Sequence, residues 1–258
     1  MRCLYSLLLL AWSTAAWAAP GALEEGDAAR VVAVIDGDTV ALDSGAEVRL
    51  VGIQAPKLPL GRAHFTPWPL ADEAKAALEE ISLGRRVALS YGGRRVDRHG
   101  RVLAHLHRDD GLWLQGEMLR RGLARVYSFR DNRALVAEML TLEREARAAR
   151  RGIWAEPFYA VRSAESVHEL PLESFELVVG RVLSAKVVRG RAYLNFGPDW
   201  RSDFTVSAAS AARRLFERDG HDLIALEGRI IRVRGWIKWW NGPMIELTHP
   251  EQIEVLAQ

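Results

Sequence analysis

One cysteine, Cys3, is the whole thiol content of the 258-residue chain, and it lies within its first few residues. A disulfide framework and thiol chemistry are therefore excluded from the rest of the sequence. Charge of one sign is also scarce: 35 lysines and arginines stand against 33 acids, a formal net charge of +2. No bulk basicity announces a nucleic-acid partner, so any such role must rest on local patches. Long apolar runs are missing too. The run near the start, Leu4–Trp12, is too short to span a bilayer, and no stable membrane anchor is expected. What remains is ordinary for a soluble globular protein, 49% hydrophobic and 26% charged, and long enough for one large or two small domains.

The start has its own logic. Arg2 supplies a positive n-region, Leu4–Trp12 an apolar core, and Ala16-Trp17-Ala18 a small-x-small cleavage site. Residues 1–18 are expected to be a signal peptide, with the mature chain beginning at Ala19. An exported chain without cysteine suits the bacterial periplasm or the medium.

From Val31 to Lys57 three short strands are expected: Val31–Ile35, a second leading to Asp43-Ser44-Gly45, and Glu47–Ile53, which ends at Pro56. The first turn, Asp36-Gly37-Asp38-Thr39, holds a close pair of carboxylates, and Arg49 stands on the returning strand. Carboxylate oxygens suit a hard cation, and a guanidinium forks onto phosphate oxygens. A hairpin whose Asp and Gly serve only the turn would read the same.

Further along, Asp97-Arg98-His99-Gly100-Arg101 separates two strand-like runs, Arg86–Tyr91 and Val102–His107. With Ile35–Val40, Val48–Ile53 and Pro56, Leu119–Val126 and Gly152-Ile153-Trp154, five pieces stand in an order and spacing that resemble the staphylococcal nuclease (thermonuclease) family, over residues 28–156. The resemblance implies an oligonucleotide-binding (OB) barrel and metal-assisted phosphodiester hydrolysis of DNA or RNA. It places Asp38 on a Ca²⁺-ligand position, and Arg49 and Arg101 on the two phosphate-binding, catalytic arginines. Two positions depart from the family: Gln54 stands where a second carboxylate ligand is expected, and Lys57 where the general-base glutamate is expected. A glutamine oxygen still ligates Ca²⁺, but one formal charge fewer weakens the site. A protonated lysine does not accept a proton as glutamate does, and losing a general base removes about 10²–10⁴ in rate. The stretch from Arg85 to Arg101 adds a local basic patch of six arginines against one acid, Asp97, which could track a phosphate backbone.

The rest of the first unit reads as a helix over Leu70–Leu83 and two more over Leu114–Arg121 and Ala134–Arg151. Residues 157–172 read as a linker or strap. Residues 173–258 give strands at Phe175–Ser184, Arg191–Phe196, Asp203–Val206, Arg229–Trp239 and Met244–Thr248, a tail strand at Gln252–Leu256, and a helix at Ala208–Asp219. Three strands, a helix and further strands suggest a second, smaller OB-like domain. On its strand Arg229–Trp239, Arg232, Arg234, Trp236 and Lys238 share a face with Trp240. Interleaved cations and aromatics form a platform for single-stranded nucleic acid; an amphipathic strand covered by the first domain is the alternative.

The expectation is thus a mainly β protein with helices: a signal peptide, an OB barrel and a second OB-like domain. It is an exported nuclease with an altered site, or a catalytically degenerate nucleic-acid-binding or scaffolding protein on the same fold.

Overall fold

The computed structural model describes residues 23–256. The expected signal peptide, with Cys3, lies outside the described residues. Among those described, no helix is long and apolar enough to cross a membrane.

The first unit is built from β1 (Glu24–Asp36), β2 (Thr39–Leu42), β3 (Glu47–Leu50), β4 (Gly52–Gln54), α1 (Ala71–Ser82), β5 (Arg86–Tyr91), β6 (Val102–Arg108), α2 (Leu114–Arg120), β7 (Arg125–Tyr127) and α3 (Val136–Ala148). A closed barrel runs β1-β2-β3-β6-β5, with β3 and β6 parallel. Its interior is filled by alternate strand residues, Val31, Val40, Val48, Leu50, Val87 and Leu106, under Leu78 and Ile81 of α1. Their burial follows from period-2 and period-3.6 apolar patterns meeting in one core.

The third strand departs from its expected course. It breaks at Val51, and β4 leaves the barrel to pair antiparallel with β7. Gly52 makes the break: its φ is +84°, a left-handed conformation, and a Cβ there would meet the end of Met139 at 2.6 Å. The kink turns Ile53, Gln54 and Ala55 back toward the Asp36–Asp38 turn.

Residues 157–172 are a strap that begins on the first unit, where the Tyr159 hydroxyl donates to the Pro69 carbonyl at 2.9 Å, and ends packed on the second. Tyr159, Ala164 and Leu170 are buried, and β8 (Arg162–Ser163) pairs parallel with β9 (Phe175–Arg181). The second unit continues with β10 (Ser184–Val188), β11 (Arg191–Asn195), β12 (Thr205–Ala208), α4 (Ser210–Arg218), β13 (Ile230–Trp239), β14 (Pro243–Leu247) and β15 (Ile253–Val255). The expected strand Phe175–Ser184 is shorter, and β10 is additional. The sheet runs β10-β11-β12-β14-β13-β9-β8, with β12 and β14 parallel. Because β9 and β10 are consecutive, separated only by Val182 and Leu183, the sheet curls until its two sides meet on one stretch of chain. Backbone bonds of Val182 to Arg229 and of Leu183 to Asn195 keep both sides attached there. Taking β9 and β10 as a single first strand, this order repeats that of the first barrel, parallel pair included.

The two units lock through charge. Glu143, on the buried side of α3, accepts both arms of the Arg234 guanidinium at 2.9 and 3.0 Å, and the Val126 N–H at 2.6 Å. Arg234 also bonds Glu254 at 2.7 Å, as does Arg232 at 3.2 Å, while Arg147 reaches Glu143 at 2.7 Å. Burial pushes the Glu143 carboxyl up, but Arg234 and Arg147 outweigh it and hold it below the usual carboxylate range. This corrects the expected platform. The alternation along β13 is as expected, but α3 and β15 cover its polar face at Arg232 and Arg234, whose guanidiniums are committed to carboxylates. Trp236, Lys238 and Trp240 remain on an open surface.

Candidate active site

The Asp36–Asp38 turn forms a closed ionic cluster. Asp38 is completely buried. Its Oδ2 accepts the Ala55 N–H at 2.7 Å and the Lys57 ammonium at 2.7 Å, and lies 3.2 Å from the Arg49 guanidinium. Oδ1 faces the Thr39 hydroxyl at 3.3 Å. Asp36 accepts the Asp38 N–H at 3.0 Å and lies 3.8 Å from Lys57. Two carboxylates therefore meet two cations, and the cluster is neutral by itself. Burial would raise the Asp38 pKa, but Arg49 and Lys57 outweigh it and hold the group well below the usual range. Asp36 goes the other way: burial and its repulsion from Asp38 raise it.

Arg49 is turned inward as well. Its terminal nitrogens donate to the carbonyls of Leu50 at 2.7 Å, Ile53 at 2.6 Å and Asp38 at 3.3 Å, fixing the kinked strand. This guanidinium braces the turn, and it also lines the cleft beside it, so the expected phosphate-binding role stays open to it. Gln54 is buried, and its Oε1 accepts a hydrogen bond from Arg125 Nε at 2.9 Å. Arg125 went unassigned in the sequence. It follows Arg120 and Arg121 in the Leu119–Val126 motif and is the one cation of the run Leu123–Tyr127, the signal that could have flagged it. Here it lies 4.9 Å from the Phe175 ring.

Beside this cluster opens a cleft of about 500 Å³. Arg101 lines it, with Nε 2.9 Å and a terminal nitrogen 2.7 Å from the Asp97 carboxylate. Of the six-arginine patch, Arg94 and Arg98 also line the cleft, whereas Arg95 pairs with Glu24. The far wall is aromatic: Tyr127 and Phe129 meet edge to face at 4.9 Å, and Trp236 of the second unit donates its indole N–H to the Tyr127 hydroxyl at 2.9 Å. Basic groups on one wall and rings on the other suit a nucleotide.

A family model, the staphylococcal nuclease homologue, matches residues 47–156. An uncharacterized endonuclease of Escherichia coli is 32% identical over 130 residues, covering 49% of this chain and 76% of that protein. The chain belongs to the staphylococcal nuclease homologue family. A protein of Escherichia coli named ParB is 33% identical over 144 residues, covering 49% of this chain and 72% of its own. A probable staphylococcal-like nuclease of Oryza sativa subsp. japonica is 32% identical over 108 residues, 42% of this chain and 28% of its own. Membership supports a nuclease function and, with it, a nucleic-acid substrate.

Staphylococcal nuclease homologues in general depend on Ca²⁺, and the residues of this member do not fit that ion. Calcium takes six to eight oxygens, carboxylates prominent among them. Here Asp38 Oδ2 already faces three donors, Gln54 Oε1 is held by Arg125, and no group of three or more acid, His or Cys side chains gathers among the described residues. An ammonium about 4 Å from a dication repels it by roughly 8 kcal/mol at an effective dielectric of 20. That matches the whole affinity of a micromolar site. Lys57 thus occupies with its own charge the place a cation would fill.

Proposed function

We propose that this chain is an exported nuclease of low turnover that binds single-stranded nucleic acid in the Arg101 cleft and does not respond to calcium. The observation that carries the reading is the Lys57 ammonium, 2.7 Å from Asp38 and 3.8 Å from Asp36. Its charge is spent on the two carboxylates, where it stands in the metal's place; the preorganised charge that stabilises developing phosphate charge without a bound ion comes from the arginines that line the cleft. Arg101, Arg94 and Arg98 hold the phosphates, and the Tyr127, Phe129 and Trp236 rings take a base. Low turnover follows from the missing general base, about 10²–10⁴ in rate. Export rests on the charged-then-apolar start and the Ala16-Trp17-Ala18 site; N-terminal sequencing of periplasmic protein should find Ala19 first.

A second reading, binding without turnover, is favoured by the complete burial of Asp38. Digestion of single-stranded DNA by the purified mature chain separates the two. Slow cleavage that is equal in calcium and in EDTA supports the first. Retained binding with no cleavage in either supports the second. Cleavage that calcium drives and EDTA abolishes contradicts both.

A further inference from the structure

We propose that the outer face of the second sheet carries a separate stacking groove for single-stranded nucleic acid, walled by Trp200 and Trp240 and joined to the cleft through Lys238. The inference rests on the nucleic-acid substrate proposed above. Its floor is set by strand register. Lys238 pairs with Met244, Met244 with Thr205, Thr205 with Asn195, and Asn195 with Ser184. Residues directly opposite one another share a face, so these five form one row across β13, β14, β12, β11 and β10. The next row brings Lys186 opposite Tyr193. A cavity of about 510 Å³ lies over this floor, bounded by Trp200 from the β11–β12 connection and Trp240 from the β13–β14 turn.

Three observations select the occupant. First, the two indoles that wall the groove are open to solvent: Trp240 is 66% exposed and Trp200 50%. Rings of that size, unburied around one groove, point to a ligand with flat faces. Second, the charge is one-sided. Lys186 lines the groove and no carboxylate does. Lys238 stands in the same row, and the Arg201 guanidinium lies 4.5 Å over the Trp200 ring. Of the nearby acids, Glu246 is paired with Arg191 at 2.8 Å, while Asp203 and Asp199 turn into their own loop, accepting the N–H groups of Asp199 and, at 3.1 Å, of Arg201. Third, the floor is polar. Asn195 donates to Ser184 at 3.2 Å and accepts from the Thr205 hydroxyl at 3.2 Å. Rings for bases, cations for phosphates and amide or hydroxyl groups for sugar and base edges together describe a single strand. An apolar protein helix would leave the lysines and the amide row uncompensated, and a neutral sugar would leave the lysines without a role.

Continuity with the cleft strengthens the assignment. Trp236 lines the cleft, Lys238 follows on the same face of β13, and Trp240 stands just past the strand's end. Four residues of strand span about 13 Å, within reach of one short oligonucleotide. This is also the side on which OB sheets commonly take oligonucleotides or oligosaccharides.

The test is fluorescence anisotropy of a labelled oligodeoxythymidine with the purified full chain in EDTA, with hydrolysis assayed separately. Trp240→Ala and Trp200→Ala, both at exposed positions, should each weaken binding by about five- to a hundredfold, the worth of one stacked base. Lys186→Gln combined with Lys238→Gln should lower the slope of log K against log salt by about two. Equal binding by wild type and both tryptophan variants overturns the groove. So does a wild-type chain that binds no oligonucleotide, or a neutral cello-oligosaccharide that binds in its place and depends on Trp240. A chain that cuts DNA yet binds it regardless of Trp200 and Trp240 contradicts the groove alone. One that cuts nothing but loses binding on Trp240→Ala contradicts hydrolysis and leaves the groove standing.

Discussion

The two sheets share a strand order and place their charges oppositely. In the first barrel the polar residues converge inward on one turn: Asp36, Asp38, Arg49 and Lys57 close on one another, and the backbone of Ile53 and Ala55 completes the set. In the second sheet the core is built of apolar side chains from Val178 to Leu247, and Lys186, Lys238, Arg232 and Arg234 stand on the outer face. There they either pair at the interface, Arg234 with Glu143 of the first unit and Arg232 with Glu254 beside it, or stay open, as Lys186 and Lys238 do. One topology thus carries a self-neutralising centre in one sheet and an open polar face in the other. What a sheet does is set by the residues on its turns and faces, not by its strand order.

Breaking the lock should have the largest effect. Glu143→Ala leaves the Arg234 guanidinium buried with Glu254 alone, and removing one partner of a buried pair costs about 3–5 kcal/mol. Urea unfolding of the full chain measures it; a loss below about 1 kcal/mol would show that the interface does not depend on this pair. The turn cluster should be more forgiving, because Lys57 is partly open to water. Lys57→Met is expected to cost about 1–3 kcal/mol, with Asp38 still held by Arg49 and the Ala55 N–H. Calcium, inert toward the wild type, should restore part of that loss. If calcium stabilises both chains alike, Lys57 is not what keeps the ion out.

Acid should act on both units. His105 in the first barrel and His249 at the interface are each lowered from an ordinary 6.5 to about 4, by burial first. The unfolded chain then binds more protons than the folded one between those values, so stability is complete above about pH 6.5 and falls as the pH drops toward 4. Each imidazole contributes at most roughly 3 kcal/mol to that fall. Comparing urea midpoints at pH 7 and pH 5 for wild type and His249→Asn isolates the interface share; an unchanged slope in the variant would place the effect elsewhere. The smallest expected effect lies in the cleft. Arg101→Ala should weaken oligonucleotide binding roughly tenfold, the worth of one hydrogen bond to a charged group. No change would move the phosphate contact to Arg94 or Arg98.

Much of this was legible beforehand, and the exceptions share a cause. Alternation and turn residues marked the barrel strands, and the Asp36-Gly37-Asp38 turn with Gln54 and Lys57 stood out as a site and as a departure. What Lys57 does with its charge was not legible. Its reach onto Asp38 depends on the Gly52 kink, and a single glycine in the run Leu50–Gln54 does not announce that a strand leaves the barrel. The Arg232 and Arg234 face was read correctly as a face, as either an open platform or a strand covered by the first domain, and at these two residues it is covered. Periodicity assigns sides, but only tertiary packing says what covers them, and Glu143 in α3 carries no local signal that it meets an arginine about ninety residues later. The short β10 was missed because five residues ending in Lys186-Val187-Val188 look like the tail of the preceding strand.

The central claim is that Lys57 stands in the cation's place, and calorimetric titration of calcium tests it most directly. The full wild-type chain should bind no calcium at this turn. Gln54→Asp with Lys57→Glu, which restores both acids and removes the ammonium, should bind it, more tightly than either single variant by more than the product of their separate effects, and Asp38→Asn in that background should abolish it. Calcium binding by the wild type that Asp38→Asn removes would contradict the account.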